Sequence, residues 1–165
     1  HPALIKDNSY IAKINGVLNA VIVDSKPVGQ SALEGEGAGP GPTTSSLISD
    51  LCSVLRGNIK FPFVISDRKR KLASFENTNN KKFSVYLRLD VKDRHGILAD
   101  IAKVMANNRV SIKRLIQNPT VNKKNASIII ITHQTKSYLL TKAMTALKNK
   151  KYIVSNLKLI RIEDI

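Results

Sequence analysis

Two turns that contain glycine hold the residues best suited to binding small molecules. In the first, a glycine-rich loop from Gly35 to Gly41 enters a helix. Backbone N–H groups can approach a ligand there, and a helix N-terminus favours negative charge, so phosphate or cofactor contact is one interpretation. The other interpretation is a tight connection from strand to helix. The loop lacks the Rossmann spacing and its acidic ribose-binding residue, so it is not expected to bind a dinucleotide by itself.

The second turn, Asp93-Arg94-His95-Gly96, separates a predicted strand from a predicted helix. Gly96 lets backbone N–H groups approach the carboxylate of a small ligand. Asp93 either caps the helix or receives the ammonium group of that ligand. His95 is interpreted as an exposed turn residue, because the sequence shows no carboxylate or nucleophile to work with it.

The 165 residues show no sequence motif for a metal site, a nucleotide-binding P-loop or a disulfide. The sequence has no HExxH, P-loop or paired-cysteine spacing, and its three histidines are too scattered to indicate a metal site. The single cysteine, Cys52, cannot form an internal disulfide, which favours a reducing, cytoplasmic setting. No apolar run approaches the roughly 20 residues that a transmembrane helix needs.

The composition is that of a folded protein, with 42% apolar and 24% charged residues, but the charge is uneven. Residues 1–57 hold four basic and five acidic side chains, whereas residues 58–165 hold 23 basic and seven acidic ones. The contrast predicts two modules. Clustered Lys and Arg can neutralise nucleic-acid phosphates, but with 5% aromatics and no Trp for base stacking, solvated charge is the favoured interpretation.

The N-terminal part predicts a hairpin, a glycine loop and a helix. β-prone runs over residues 17–23 and 28–33 flank a Ser25-Lys26-Pro27 turn. Apolar residues recur at helical spacing from Leu47 to Leu55, with Thr43 or Thr44 as the expected N-cap and Gly57 as the stop. A lone hairpin is marginally stable, so its partner strands are expected before His1, and the chain is expected to be a fragment.

The C-terminal part predicts the order β-α-β-β-α-β. Residues 83–91 alternate with period two, and residues 96–108 follow helical spacing. Further strands are predicted at 110–117, 127–132 and 152–162, the second of them buried on both faces, with a helix opening near Thr135. This is the order of a ferredoxin-like α+β fold. Its exposed sheet is expected to pair with a second copy.

Several stretches resemble bacterial homoserine dehydrogenases that end in a regulatory ACT domain, and the resemblance covers nearly the whole chain. The matching stretches are His1-Pro2-Ala3-Leu4-Ile5, Ile14 to Ala20, Gly35 to Gly39 with Pro42-Thr43, and the turn Asp93 to Gly96. The resemblance implies three parts. Residues 1–65 would end the catalytic region, residues 66–82 would be a basic linker, and residues 83–165 would be the ACT domain.

The family is an NAD(P)-dependent oxidoreductase that interconverts L-aspartate 4-semialdehyde and L-homoserine, on the route to threonine, methionine and isoleucine. Its Rossmann fingerprint and catalytic lysine and aspartate lie upstream of the part resembled here. The resemblance therefore implies no catalytic residue and no metal in this segment, which alone is expected to be inactive. The implied contacts to NADP or NAD are Gly37, Ala38, Gly39 and Thr43.

The resemblance also implies feedback regulation by an amino acid, L-threonine, bound between two ACT domains of a homo-oligomer. Histidine stands at position 95, where the family's turn commonly has proline. The implied effector-binding residues are Asp93, His95, Gly96, Ile97 and Leu98. Two alternatives stay open: a free-standing basic module that binds nucleic acid, and an ACT domain that only holds subunits together.

Overall fold

The structure is a computed structural model that describes residues 1–58, 67–72, 74, 77–119 and 124–164. It divides into two compact units. The C-terminal unit comprises His1–Lys6 and Glu76–Ile165, and the hairpin unit comprises Asp7–Phe75. The predicted 66–82 linker can be compared only in part, because residues 66, 73 and 75–76 lie outside the described residues. Residues 120–123, between the second and third predicted strands of the C-terminal part, also lie outside them.

The hairpin unit contains two antiparallel strands and one helix. Strand β2 spans Leu18–Ser25 and strand β3 spans Gly29–Glu36, with Ser25 opposite Gly29, so the predicted hairpin is confirmed. Helix α1 spans Pro40–Leu55. It ends with N–H groups of Gly57 and Asn58 bonded to the carbonyls of Val54 and Ser53, and Gly57 has a φ of 72°. This Schellman ending confirms the predicted stop.

The C-terminal unit is built on a mixed sheet. Its elements begin with strand β1, Ala3–Leu4, and continue after the hairpin unit with β4 (Lys82–Lys92), α2 (Ile97–Asn107), β5 (Ile112–Pro119), β6 (Asn125–Thr132), β7 (Thr135–Lys136), α3 (Ser137–Lys148) and β8 (Lys158–Ile162). The strand order is β1-β8-β4-β6-β5, with β7 paired to the start of β4. The four long strands and two helices confirm the ferredoxin-like prediction. The parallel pairing of β1 with β8 is an addition that the sequence did not predict.

One core lies between the sheet and its two helices. Strand β4 contributes Val85, Leu87, Leu89 and Val91, each at most 2% exposed. Helix α2 contributes Ile101, Val104 and Met105, and helix α3 contributes Leu140, Ala143 and Leu147. The alternation predicted for β4 and the helical spacing predicted for α2 produce this burial, because every second strand residue and every third or fourth helix residue faces the same side.

Two local predictions are wrong, and the start of one predicted helix is now defined to the residue. Strand β6 is not buried equally on both faces, because Ile128 and Ile130 are buried whereas Ile129 and Ile131 are only partly buried. The last strand is limited to Lys158–Ile162, and of the earlier residues only Ile153 makes an isolated bridge, to Val91. Helix α3 begins at Ser137 with no side-chain cap.

No helix in the described ranges combines the length and apolar content that a membrane crossing requires.

Candidate functional site

The glycine loop is shaped by its own hairpin. The Gly37 N–H donates to the Val17 carbonyl at 2.9 Å, and a Cβ at Gly37 would overlap the side-chain amide of Asn19. Gly39 has a φ of 128°, which disfavours any residue with a side chain. Backbone geometry therefore favours glycine at position 39, whereas a side chain at position 37 would displace the Asn19 amide.

Helix α1 begins earlier than predicted, which changes its ligand-binding capacity. Thr43 and Thr44 lie inside the helix, and the N-cap is Gly39, without a side-chain cap. The Thr43 N–H is bonded to the Gly39 carbonyl at 3.2 Å, and Pro40 and Pro42 have no N–H. The predicted threonine cap is therefore wrong, and Gly41 is the one residue of the first turn whose N–H lacks a partner among the described residues. The loop retains exposed backbone at Gly37, Ala38 and Gly39, and an exposed Thr43 side chain.

The second turn forms a pocket at one end of the sheet. Its volume is about 800 Å³, and all five predicted effector residues line it. Gly96 adopts a φ of 82° as the residue that precedes α2, with open space where a Cβ would stand. The Asp93 N–H donates to the Lys124 carbonyl at 3.0 Å, which fixes the start of the turn.

The pocket offers groups for both ends of an amino acid. Asp93 does not cap α2, which has no side-chain cap, so its carboxylate is not used by the helix. The first turn of α2 leaves the N–H groups of Leu98 and Ala99 without a protein acceptor in the described part of the chain. A carboxylate suits these N–H groups, and an ammonium group suits Asp93.

A second segment braces both sides of this turn. The Lys92 N–H donates to the Tyr152 carbonyl at 2.9 Å, next to the bridge between Val91 and Ile153. On α2, the Asp100 carboxylate accepts the Tyr152 hydroxyl at 2.9 Å and pairs with the Lys150 ammonium, also at 2.9 Å. Residues 150–153 therefore connect the strand before the turn with the helix after it.

These contacts shift two ionisation equilibria. Hydrogen bonds from Lys150 and then Tyr152 hold the pKa of the Asp100 carboxyl below its usual value of 3.8. Burial, reinforced by the bond to Asp100, raises the pKa of the Tyr152 phenol. At neutral pH the Asp100–Lys150–Tyr152 cluster therefore consists of a carboxylate, an ammonium group and a neutral phenol.

The sequence missed part of the pocket lining. Lys92 and Val91 come from the end of β4, Arg94 lies inside the turn, Gln117 comes from β5 and Ile128 from β6. Gln117 stands opposite Ile128 in the β5–β6 register. Nothing in the sequence distinguishes Gln117 from the other polar residues of β5, because its place beside the turn depends on the strand order.

The described residues form no candidate metal site. Within the ranges that the structure describes, no group of three or more His, Cys, Asp or Glu side chains is placed to hold a metal ion.

The sequence matches two protein families in consecutive segments. Residues 1–52 match the homoserine dehydrogenase family, and residues 85–149 match the ACT domain family. Homoserine dehydrogenase of Helicobacter pylori is 29% identical over 99% of the chain, and that of Neisseria gonorrhoeae is 31% identical over all of it. The chain spans 38% and 39% of the length of those two relatives.

Solved structures give the same result. A homoserine dehydrogenase from Thiobacillus denitrificans, 29% identical, superposes over 99% of the chain and 38% of its own length with a TM-score of 0.82. A homoserine dehydrogenase from S. aureus, 19% identical, covers 99% of the chain and 36% of its own length with a TM-score of 0.53, which supports the fold alone. The chain is therefore similar along its whole length to the C-terminal part of homoserine dehydrogenases, and its residues 85–149 match the ACT domain family.

Proposed function

We propose that the longer protein containing this chain is an NAD(P)-dependent oxidoreductase that interconverts L-aspartate 4-semialdehyde and L-homoserine under feedback control by L-threonine. The single observation that carries the proposal is the pocket at Asp93–Leu98 in a chain similar along its whole length to homoserine dehydrogenases. The lone thiol of Cys52 fits a cytoplasmic setting.

The hairpin unit contributes to cofactor binding in this proposal. A bound nicotinamide supplies the hydride, while Gly37, Ala38, Gly39 and Thr43 contact the cofactor and help to orient it. The exposure of this loop and the positive φ of Gly39 support close backbone approach, which a larger residue would prevent. The residues that bind the substrate carbonyl and transfer protons are assigned to the rest of the protein.

The ACT domain binds threonine at the second turn. The threonine carboxylate lies at the N-terminus of α2, its ammonium group at Asp93, and its hydroxyl within reach of the Gln117 amide. His95, Gly96, Ile97 and Leu98 complete the contact surface. Threonine changes activity only if it binds two states of the enzyme with different affinities, so we assign to it the stabilisation of a less active arrangement.

The site lies between two ACT domains of a homo-oligomer in this proposal. Strand β5 is the last strand of the described sheet, and the backbone groups on its outer edge are suited to pairing with a second copy. The nucleic-acid alternative has less support. Phe83 packs against the core, whereas Tyr86, three residues further along β4, lies on the other face of the strand, so the two rings do not form a stacking pair.

Calorimetric titration of the 165-residue chain with L-threonine tests the effector site. We expect saturable heat with the unaltered chain and about tenfold weaker binding after Gly96→Trp, because an indole would fill the pocket and the φ of 82° disfavours it. Gln117→Met is a second variant that keeps the strand, and it is expected to weaken threonine binding while circular dichroism stays unchanged.

The outcomes separate the parts of the proposal. Unchanged threonine binding in both variants would place the ligand elsewhere and overturn the pocket assignment. Binding of another amino acid instead of threonine, with loss in both variants, would retain the site and reject the effector. A stable dimer whose melting temperature ignores a panel of amino acids would favour the purely oligomerising alternative.

A further inference from the structure

A second cleft lies on the helix-covered face of the sheet, away from the effector turn. Its volume is about 600 Å³, and it shares no lining residue with the pocket at Asp93–Leu98. One wall is a ridge of α3, and the floor is formed by β4 and β8. A cleft of this size is in the range that accommodates small organic ligands.

The apolar lining of the cleft is firmly packed. Val85 and Leu140 are 2% and 6% exposed, and Leu157 and Met144 pack against the same core. On the wall, the Thr141 hydroxyl donates to the Ser137 carbonyl at 3.1 Å, and the Thr145 hydroxyl donates to the Thr141 carbonyl at 3.0 Å. These hydroxyl protons are occupied within the helix, so the threonine side chains present methyl groups and acceptor oxygens.

The side-chain nitrogen donors of the cleft have few protein acceptors among the described residues. The Arg161 guanidinium lies 4.0 Å from the centroid of the Phe83 ring, and its Nη1 is 2.9 Å from His1 Nε2. This leaves most of its five N–H donors without a protein acceptor in the described residues. Lys148 and Asn156 also have no side-chain acceptor within the described ranges.

The charge of the cleft has one sign. Lys148 and Arg161 line it, and none of its lining residues is acidic. Glu163, whose carboxylate lies 3.9 Å from His1 Nε2, does not line the cleft. Stacking on Phe83 fixes the guanidinium plane in advance, which reduces the entropy lost when it binds a planar anion.

We propose that this cleft binds a small organic carboxylate with an apolar body. The carboxylate is held by Arg161 and Lys148, and the apolar body lies over Val85, Leu140 and Leu159. An inorganic anion would leave the apolar floor uncovered, and an uncharged apolar molecule would leave the cations unpaired. This cleft shares no lining residue with the effector pocket, so the proposal stands whether or not the effector pocket binds threonine.

Isocaproate is a suitable probe, because it has a carboxylate and a branched apolar chain, and isocaproamide is its neutral counterpart. We would titrate each into the ¹⁵N-labelled 165-residue chain and follow amide chemical shifts. Saturable shifts are expected at Thr141, Thr145 and Asn156 with isocaproate. Binding of the amide is expected to be about tenfold weaker, because a charge-assisted hydrogen bond is lost.

Three variants locate the anion site. Arg161→Gln and Lys148→Met are each expected to weaken isocaproate binding by about tenfold. Lys158→Met is the matched control, because Lys158 lies on the same strand but opposite Arg88, on the other face of the sheet. It is expected to leave the affinity unchanged. Lys148 is exposed on α3, so its replacement tests the site even if Arg161→Gln perturbs β8.

Two results would overturn the proposal. Equal affinity for isocaproate and isocaproamide would show apolar binding without anion recognition. If no saturable shifts occur at the cleft, or if shifts are confined to residues 93–98, the cleft is not a carboxylate site. A segment of a partner protein would then be the remaining type of occupant.

Discussion

Arg109 occupies a backbone position where glycine is the usual residue. It follows α2 with a φ of 58°, while its N–H bonds to the Ala106 carbonyl and the Val110 N–H bonds to the Met105 carbonyl. This is the same Schellman ending that Gly57 makes after α1. The buried Val110 and Met105 side chains hold the motif in place, so the left-handed conformation of Arg109 is maintained by packing.

Replacing Arg109 with glycine is expected to stabilise the C-terminal unit. Relief of the left-handed conformation favours the folded state, and the greater freedom of glycine in the unfolded chain offsets part of that gain. We expect the free energy of unfolding to rise by about 0.5–1 kcal/mol, measured by urea denaturation.

Lys103→Gly is the control for the Arg109 replacement, since Lys103 is exposed in the middle of α2. Glycine there is expected to lower the free energy of unfolding by about 1 kcal/mol. Destabilisation of similar size by both substitutions would contradict the assignment of strain to Arg109.

Strand β6 separates two different environments although it contains four consecutive isoleucines. Ile130 is fully buried and stands between Leu87 and Leu115 in the register. Ile131, the next residue, stands between Tyr86 and Arg114 on the opposite face and is partly buried. The helices α2 and α3 cover one face of the sheet, and this arrangement makes the two isoleucines unequal.

The two isoleucines are therefore expected to respond differently to truncation. Ile130→Ala removes core contacts and leaves a cavity, so the free energy of unfolding is expected to fall by about 2–5 kcal/mol. Ile131→Ala is expected to cost about 1–2 kcal/mol, because less apolar surface returns to water. Urea denaturation measures the free energy of unfolding of both variants. Both lose the preference of isoleucine for strands, so this contribution cancels when the two variants are compared. Equal costs would contradict the one-sided core.

Burial is divided unevenly between the two units. All buried apolar residues of the described ranges belong to the C-terminal unit. In the hairpin unit no described residue is buried, and apolar side chains are largely exposed, including Val28 at 74%, Leu33 at 69% and Leu55 at 77%. The hairpin unit of this chain therefore lacks the burial that stabilises an independent core.

Hydrogen exchange followed by mass spectrometry is expected to reveal this division. Peptides from β2 and β3 should exchange at least about tenfold faster than peptides from β4 and β6, because little apolar burial opposes local opening in the hairpin unit. The β4–β6 pair is the internal control, as both regions are antiparallel strands. Equal protection of the two pairs would contradict the assignment of stability to the C-terminal unit.

The sequence by itself determined the strands and helices whose apolar residues recur at a regular spacing. Alternation over 83–91 and helical spacing over 96–108 correctly predicted β4 and α2, because side-chain direction repeats with the period of each element. The hairpin and the Gly57 stop were predictable for the same reason, since turn and C-cap chemistry involves neighbouring residues. The side-chain caps considered at Thr43 or Thr44 and at Asp93 do not form, because α1 begins at Pro40 after Gly39 and α2 begins at Ile97 after Gly96.

Only the tertiary structure decided which distant residues share a surface. The turn at Asp93–Gly96 was visible in the sequence, but Gln117 joins it because β5 pairs with β6. Lys148 and Arg161 line one cleft because β8 pairs with β4 beside α3. Local periodicity specifies the faces of an element, whereas strand order and helix packing decide what each face meets.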